Sequence, residues 1–102
     1  MSISGKIAVV TGASRGIGKA IALELGRREA VIIGTATSDA GAVQISHWLQ
    51  AAGFKGKGYK LDVTTSASVE AFTQQCLADF GSVEILVNNA GITRDNLMLR
   101  MK

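Results

Sequence analysis

Proline is absent from all 102 residues, and cysteine, tryptophan and tyrosine occur once each. Without proline there is no rigid linker to divide the chain, and its length suits one small domain. A lone Cys76 excludes an intrachain disulfide, and no second thiol exists for a CxxC metal or redox site. The natural setting of such a chain is a reducing cytoplasm. Long apolar runs are missing as well. The N-terminal stretch Ile7 to Val10 is only four residues, far short of a signal-peptide core or a membrane span, so a soluble intracellular protein is expected. The net charge of +3 comes from scattered residues with no long run of like charge. With only five aromatic residues, none interleaved with the basic ones, a nucleic-acid partner is not expected.

What is present is an alternation. Lys6 to Thr11 is a β-rich apolar run ended by Gly12, as in a strand buried on both faces. Gly16 to Arg28 carries Ile17, Ala20, Ile21 and Leu25 at helical spacing, and Ala30 to Thr35 returns to a β-branched run. Ser38 is placed to cap a helix with the stripe Ala42, Ile45, Trp48, Leu49 and Ala52, stopped by Gly53. A weaker strand lies within Lys57 to Val63. Ser66 can cap a third helix with Val69, Phe72, Cys76, Leu77 and Phe80 on one face, stopped by Gly81. Val83 to Asn88 reads as a fourth strand.

Four strands alternating with three helices imply a doubly wound α/β fold: a parallel Rossmann-type sheet, incomplete, with right-handed crossovers. Residues 92–102 bring Leu97, Met98, Leu99 and Met101 but no further strand, which would leave the fourth strand as a long apolar edge. Native sheets avoid such edges. The expectation is therefore that residues 1–102 are the N-terminal part of a single dinucleotide-binding domain, with 92–102 beginning a segment that continues elsewhere.

The strongest chemical signal is Thr11-Gly12-Ala13-Ser14-Arg15-Gly16-Ile17-Gly18, between the first strand and the first helix. Gly12 permits the turn, Gly16 lets the backbone approach a pyrophosphate, and Gly18 allows the helix to pack closely on the sheet. The helix N-terminus then offers N–H groups and partial positive charge to phosphates.

This TGASRGIG stretch, together with Asn88-Asn89-Ala90-Gly91 after the fourth strand, resembles the two N-terminal signatures of the short-chain dehydrogenases/reductases. The similarity runs along the entire chain. Gly34 to Ser38 and Gly91 to Lys102 narrow it toward the bacterial 3-oxoacyl-[acyl-carrier-protein] reductases. The resemblance implies that Gly12, Ser14, Arg15, Gly16, Ile17 and Gly18 contact the cofactor. It further implies that Thr11 ties the turn to Asn88-Asn89, and that Asn89, Ala90 and Gly91 line the adenosine and ribose side. Asp62 would accept from the adenine amino group and Val63 would add backbone contact; the plainer reading makes Asp62 a turn residue after a strand.

Cofactor choice follows from residues. NAD enzymes of this fold carry an acid at the end of the second strand for the ribose 2′-OH, whereas this sequence has Ala36-Thr37 there. Asp39 is the alternative, but it lies where the next helix would open. Arg15 can pair with a 2′-phosphate, with Thr37 adding a hydroxyl, so NADPH is expected.

The resemblance also implies an absence. The family's chemistry uses a tyrosine followed four residues later by a lysine, with a serine and a further asparagine. The only tyrosine is Tyr59, and four residues on stands Val63, so no catalytic residue is expected here and these 102 residues alone are expected to be inactive. No metal site is expected. His47 reads as a surface residue, Cys76 as core, and Glu29 stands where the family commonly has glycine. Arg94, Arg100 and Lys102 read as a solvated face, with attraction of an acidic carrier protein as the sharper alternative.

The implied complete function is NADPH-dependent reduction of 3-oxoacyl-[acyl-carrier-protein] to the 3-hydroxyacyl form in fatty-acid synthesis, by a cytoplasmic homotetramer. A non-catalytic dinucleotide-binding module, or a reductase of another ketone, are the alternatives.

Overall fold

The computed structural model describes residues 2–89. The expectations for Ala90, Gly91 and residues 92–102 therefore lie outside the described residues.

The elements run in strict alternation: β1 (Ile7–Val10), α1 (Gly16–Arg27), β2 (Val31–Ala36), α2 (Asp39–Ala51), β3 (Gly56–Lys60), α3 (Ser66–Phe80) and β4 (Ile85–Val87). All strand pairs are parallel, in the order β3-β2-β1-β4. The chain thus moves outward from β1 through β2 to β3, then returns through α3 to place β4 on the other side of β1. This is the expected partial Rossmann sheet, and its order reverses between β1 and β4. In open α/β sheets such a reversal marks the crevice where ligands bind.

Two apolar layers hold the helices to the sheet. On one face Ala8, Val10, Ile32 and Ala36 meet Ala22 of α1 and Ile45 and Leu49 of α2. On the other, Val9 and Ile33 meet Tyr59 and Val69, Phe72 and Cys76 of α3. Alternate residues of one strand feed opposite layers, so the central strands are apolar throughout.

Several local expectations shift in the folded chain. In α1 the residues facing the sheet are Gly18, Ala22 and Gly26, while Ile17 and Ala20 are exposed. The helix lies so near the sheet and its neighbours that only small residues fit its inner face; Phe54 fills the space beside Gly26. Ile21 and Leu25 pack along the flank. In α3 the cap is Thr65, not Ser66, because the Thr65 hydroxyl accepts the Ser68 N–H at 3.4 Å. Leu77 and Ala52 lie outside the buried stripes. Strand β3 begins one residue early and ends at Lys60, although the Leu61 N–H still donates to the Ala36 carbonyl at 2.8 Å.

Strand β4 is three residues, shorter than expected, with all three half-buried. Glu84 secures its start: its carboxylate accepts the Ile7 N–H at 2.6 Å while the Glu84 N–H donates to the Ile7 carbonyl at 2.9 Å. The Ile7 N–H bond and the Ser82 hydroxyl together hold the Glu84 carboxyl below its usual range.

Candidate nucleotide site

The turn after β1 is tied to the strands on both sides. Thr11 N–H donates to Val87 O at 3.0 Å, which carries the β1–β4 pairing one residue past the end of β1. On the β2 side, Gly12 N–H donates to Thr35 Oγ1 at 3.3 Å and Ala13 N–H to Thr35 O at 2.9 Å. Thr35 is buried, a hydroxyl inside an apolar strand whose partner is the turn backbone.

Asn89 closes the loop from the other side. Its N–H donates to Thr11 Oγ1 at 2.8 Å and its side-chain amide to Gly12 O at 3.2 Å. The turn is therefore set by Thr11, Thr35 and Asn89 before any ligand arrives. Gly18 completes the lock, because a Cβ there would stand 2.1 Å from Gly12 O and 2.5 Å from Asn89 Nδ2. No side chain fits at that distance.

Gly12 and Gly16 adopt φ of +64° and +65°, which any L-residue would occupy only under strain. Around Gly16 there is open space, and Ile17 beside it is 73% exposed. Arg15 is the N-cap of α1 and supplies no side-chain acceptor, and the first turn of the helix contains no acid. Its leading N–H groups, which have no intrahelical acceptor, are left for solvent or an anion.

Beyond β2, Ala36 is buried, Thr37 is exposed, and Ser38 caps α2 by accepting the Gly41 N–H at 3.1 Å. Asp39 is the first residue of α2, in the turn where the helix dipole favours a carboxylate, rather than at the strand end. Asp62 follows the buried Leu61. Hydrogen bonds from the Thr64 hydroxyl and then the Thr64 N–H, with Lys60 nearby, keep its carboxyl below the usual range, so it accepts and does not donate.

These segments enclose a pocket of about 190 Å³ lined by Gly12, Thr35, Ala36, Thr37 and residues 61–64. It brings four of the anticipated site residues together: Gly12, Thr37, Asp62 and Val63. Ser14 faces a separate groove of about 380 Å³ between α1 and α2, with Lys19, Gln44, His47, Trp48 and Ala51. A larger cavity, about 480 Å³, is at the opposite end of the sheet around Gly5, Glu29, Gly53 and Phe54. Its size is no argument for function, since none of the turn residues reaches it.

The remaining candidates have structural surroundings. Tyr59 is buried, meets Phe72 edge-on at 5.7 Å and donates its hydroxyl to Asp79, an environment that raises its pKa mainly through burial. Cys76 is fully buried, which pushes its thiol up to about 12. His47 is exposed. Among the described residues no group of His, Cys, Asp and Glu could hold a metal, and no helix is long and apolar enough to cross a membrane.

Sequence reasoning missed Thr35 and Thr64. A threonine in an otherwise apolar buried strand was the signal for Thr35, and the Asp62-x-Thr64 spacing of a local turn was the signal for Thr64.

A parallel sheet with a reversal beside β1, a glycine turn closed by Thr11 and Asn89, and a helix opening over it define a dinucleotide-fold protein of one recognisable kind. The short chain dehydrogenase model matches residues 6–102, and the chain belongs to that family. Over all 102 residues it is 61% identical to the 3-oxoacyl-[acyl-carrier-protein] reductase FabG of Salmonella typhimurium, 60% to that of Escherichia coli K12 and 59% to that of Pseudomonas aeruginosa. In each case it spans 41% of the relative's length.

Proposed function

We propose that this chain is the nucleotide-binding part of an NADPH-dependent oxidoreductase that reduces 3-oxoacyl-[acyl-carrier-protein] to the 3-hydroxyacyl form. The domain assignment, residues 1–102 as the first part of one Rossmann domain, belongs to the same proposal, as do a homotetrameric complete protein and a cytoplasmic location. The substrate class comes from the names of the relatives.

The residues present fit a dinucleotide. At Gly16 the backbone is open to approach, and a side chain there would fill that approach as well as strain the turn. Gly12, Ser14, Gly16, Ile17 and Gly18 would hold the pyrophosphate against the start of α1. Asp62 and Val63 would meet the adenine, and Asn89, Ala90 and Gly91 the ribose side. When bound, NADPH supplies a hydride for the ketone carbon. This chain's contribution is to bind and orient; catalytic groups for the carbonyl would come from other residues of a family-length protein.

One observation carries the choice of NADPH: the end of β2 presents Ala36 and Thr37 with no carboxylate, while Arg15 stands exposed at the turn without an ion-pair partner among the described residues. A carboxylate at the strand end would repel a 2′-phosphate, and a guanidinium attracts one. Calorimetric titration with NADPH and NADH tests it. NADPH should bind more tightly, and Arg15→Glu should weaken NADPH by about tenfold or more, the size of one charge-assisted hydrogen bond, while changing NADH much less. Gly12→Asp should abolish binding of both. Equal affinity for the two nucleotides in the unaltered chain would overturn the reading.

A further inference from the structure

Strand β3 is an outer strand of the described sheet, with β2 on one side only. Ile32 N–H donates to Lys55 O and Leu61 N–H to Ala36 O, so the odd-numbered residues of this segment turn their backbone groups toward β2. Gly56, Gly58 and Lys60 therefore turn theirs outward, in the alternation that a parallel ladder requires. An edge of this kind is a ready template for another strand. Its middle outward group is nevertheless engaged. Gly58 N–H donates to Ser46 Oγ on α2 at 2.8 Å, and Gly58 is buried.

That bond depends on two small residues. A Cβ on Gly58 would stand 2.1 Å from Ala42 O and 2.8 Å from Ile45 Cβ, so α2 settles on the strand at a distance that only glycine allows. Ser46, next to Ile45, is then near enough for a one-carbon side chain to reach the edge of the strand. A serine inside a helix ordinarily bonds a carbonyl of its own preceding turn or faces water. This one accepts an N–H from a strand twelve positions along the chain. The other two outward positions discourage pairing in different ways: Gly56, at φ +136°, departs from regular strand geometry, and Lys60 is an exposed charge.

We infer that Ser46 closes the β3 edge against a second copy of this chain. A second copy is the partner such an edge fits, because a strand edge is complementary to itself about a twofold axis. Antiparallel pairing would set Gly56, Gly58 and Lys60 of one chain against the same residues of the other. It needs the Gly58 N–H free. While Ser46 holds that group, an incoming strand would have to break a bond already made at the centre of a short edge, and would gain only an equivalent one. The role is separate from nucleotide binding.

The test compares the unaltered chain with Ser46→Ala and Ser46→Thr, by amide hydrogen exchange read by NMR and by sedimentation velocity over a range of concentrations, with each fold checked by circular dichroism. In the unaltered chain the Gly58 amide should be more protected than those of Gly56 and Lys60, and none of the three should depend on concentration. Ser46→Ala should speed Gly58 exchange about five- to tenfold in dilute solution, the equivalent of one hydrogen bond. Its dimer fraction should grow with concentration, and as it does the Gly56, Gly58 and Lys60 amides should slow together. Ser46→Thr keeps the hydroxyl and should behave as the unaltered chain. Cys76→Ala, which loses packing in the other layer, should not slow these amides at any concentration, and so separates an opened edge from general loss of stability. Association through β4 would be common to all the proteins and would leave the β3 amides untouched. A Ser46→Ala chain that sediments as the unaltered one does, or that associates without slowing the three amides, overturns the inference. So does a Gly58 amide in the unaltered chain no better protected than Gly56 and Lys60, a result that requires no variant to fold.

Discussion

At the end of the sheet where the strands finish, Gly12 and Gly16 turn through positive φ, Arg15 and Lys19 have no carboxylate partner among the described residues, and the space is divided between a small pocket and a groove. At the opposite end Gly5, Glu29, Gly53 and Gly56 also have positive φ, and a larger cavity opens. There, however, the polar groups satisfy one another. Glu29 N–H bonds Gly26 O and Ala30 N–H bonds Leu25 O, the pattern that closes a helix through a left-handed residue; Gly53 and Phe54 repeat it on Gln50 and Leu49. Arg27 and Arg28 are both engaged by Glu24, whose carboxyl they hold below its usual range. The difference follows from parallel topology. Helices begin at one end and finish at the other, so open N–H groups gather where the strands end, and carbonyls at the other end are closed by local turns. Volume is a poor guide to a site when one end is already self-satisfied.

Between the two ends, the largest effect expected of a single added methyl is at Gly18. Replacing it with alanine puts a methyl against Gly12 O and Asn89 Nδ2, so the turn must move. NADPH binding should fall by more than about tenfold and stability by about 1–3 kcal/mol, the usual cost of overpacking, measured by calorimetry and urea unfolding. Unchanged binding in Gly18→Ala would break the distinction between the two ends.

The counterpart at the other end is Glu29, a non-glycine residue at φ +70° in the position that Gly53 fills on α2. Glu29→Gly should raise stability by about 0.5–1 kcal/mol, since relief of the left-handed strain exceeds the added freedom of the unfolded chain. Nucleotide affinity should not change.

Alkaline pH sharpens the comparison on a third ground, the α3 layer. The Cys76 thiol, at about 12 when folded against 9.0 ordinarily, and the raised Tyr59 hydroxyl both bind protons more tightly in the folded chain. Their contribution is complete below pH 9.0 and is lost as pH rises toward 12. Urea midpoints between neutral pH and about pH 10.5 should fall, and Cys76→Ala or Tyr59→Phe should each flatten that slope.

The smallest effect is expected at Glu84. Its folded pKa is depressed from 4.5, so its contribution is present above that value and is lost as pH falls through the depressed one. Glu84→Gln should lessen the acid sensitivity of unfolding without changing nucleotide affinity. The effect is small because the carboxylate is exposed and well screened.

The sequence by itself determined the alternation of elements, the position of the glycine turn at the first strand-helix junction, the caps at Ser38 and near Thr65, and the stops at Gly53 and Gly81. These are local properties, set by periodicity within one element and by the backbone freedom of single residues. It also showed that no acid ends β2, because that is a statement about adjacent positions. Only the tertiary structure decided which face of α1 is inward, because that depends on how near the helix lies to Gly12 and Phe54 rather than on apolar spacing. Likewise, only it brought Asn89 onto Gly12 across 77 positions, Thr35 under the turn, and the Lys19 ammonium over Trp48. Such pairs leave no periodic trace. They come from the order β3-β2-β1-β4, which makes neighbours of segments distant in the chain.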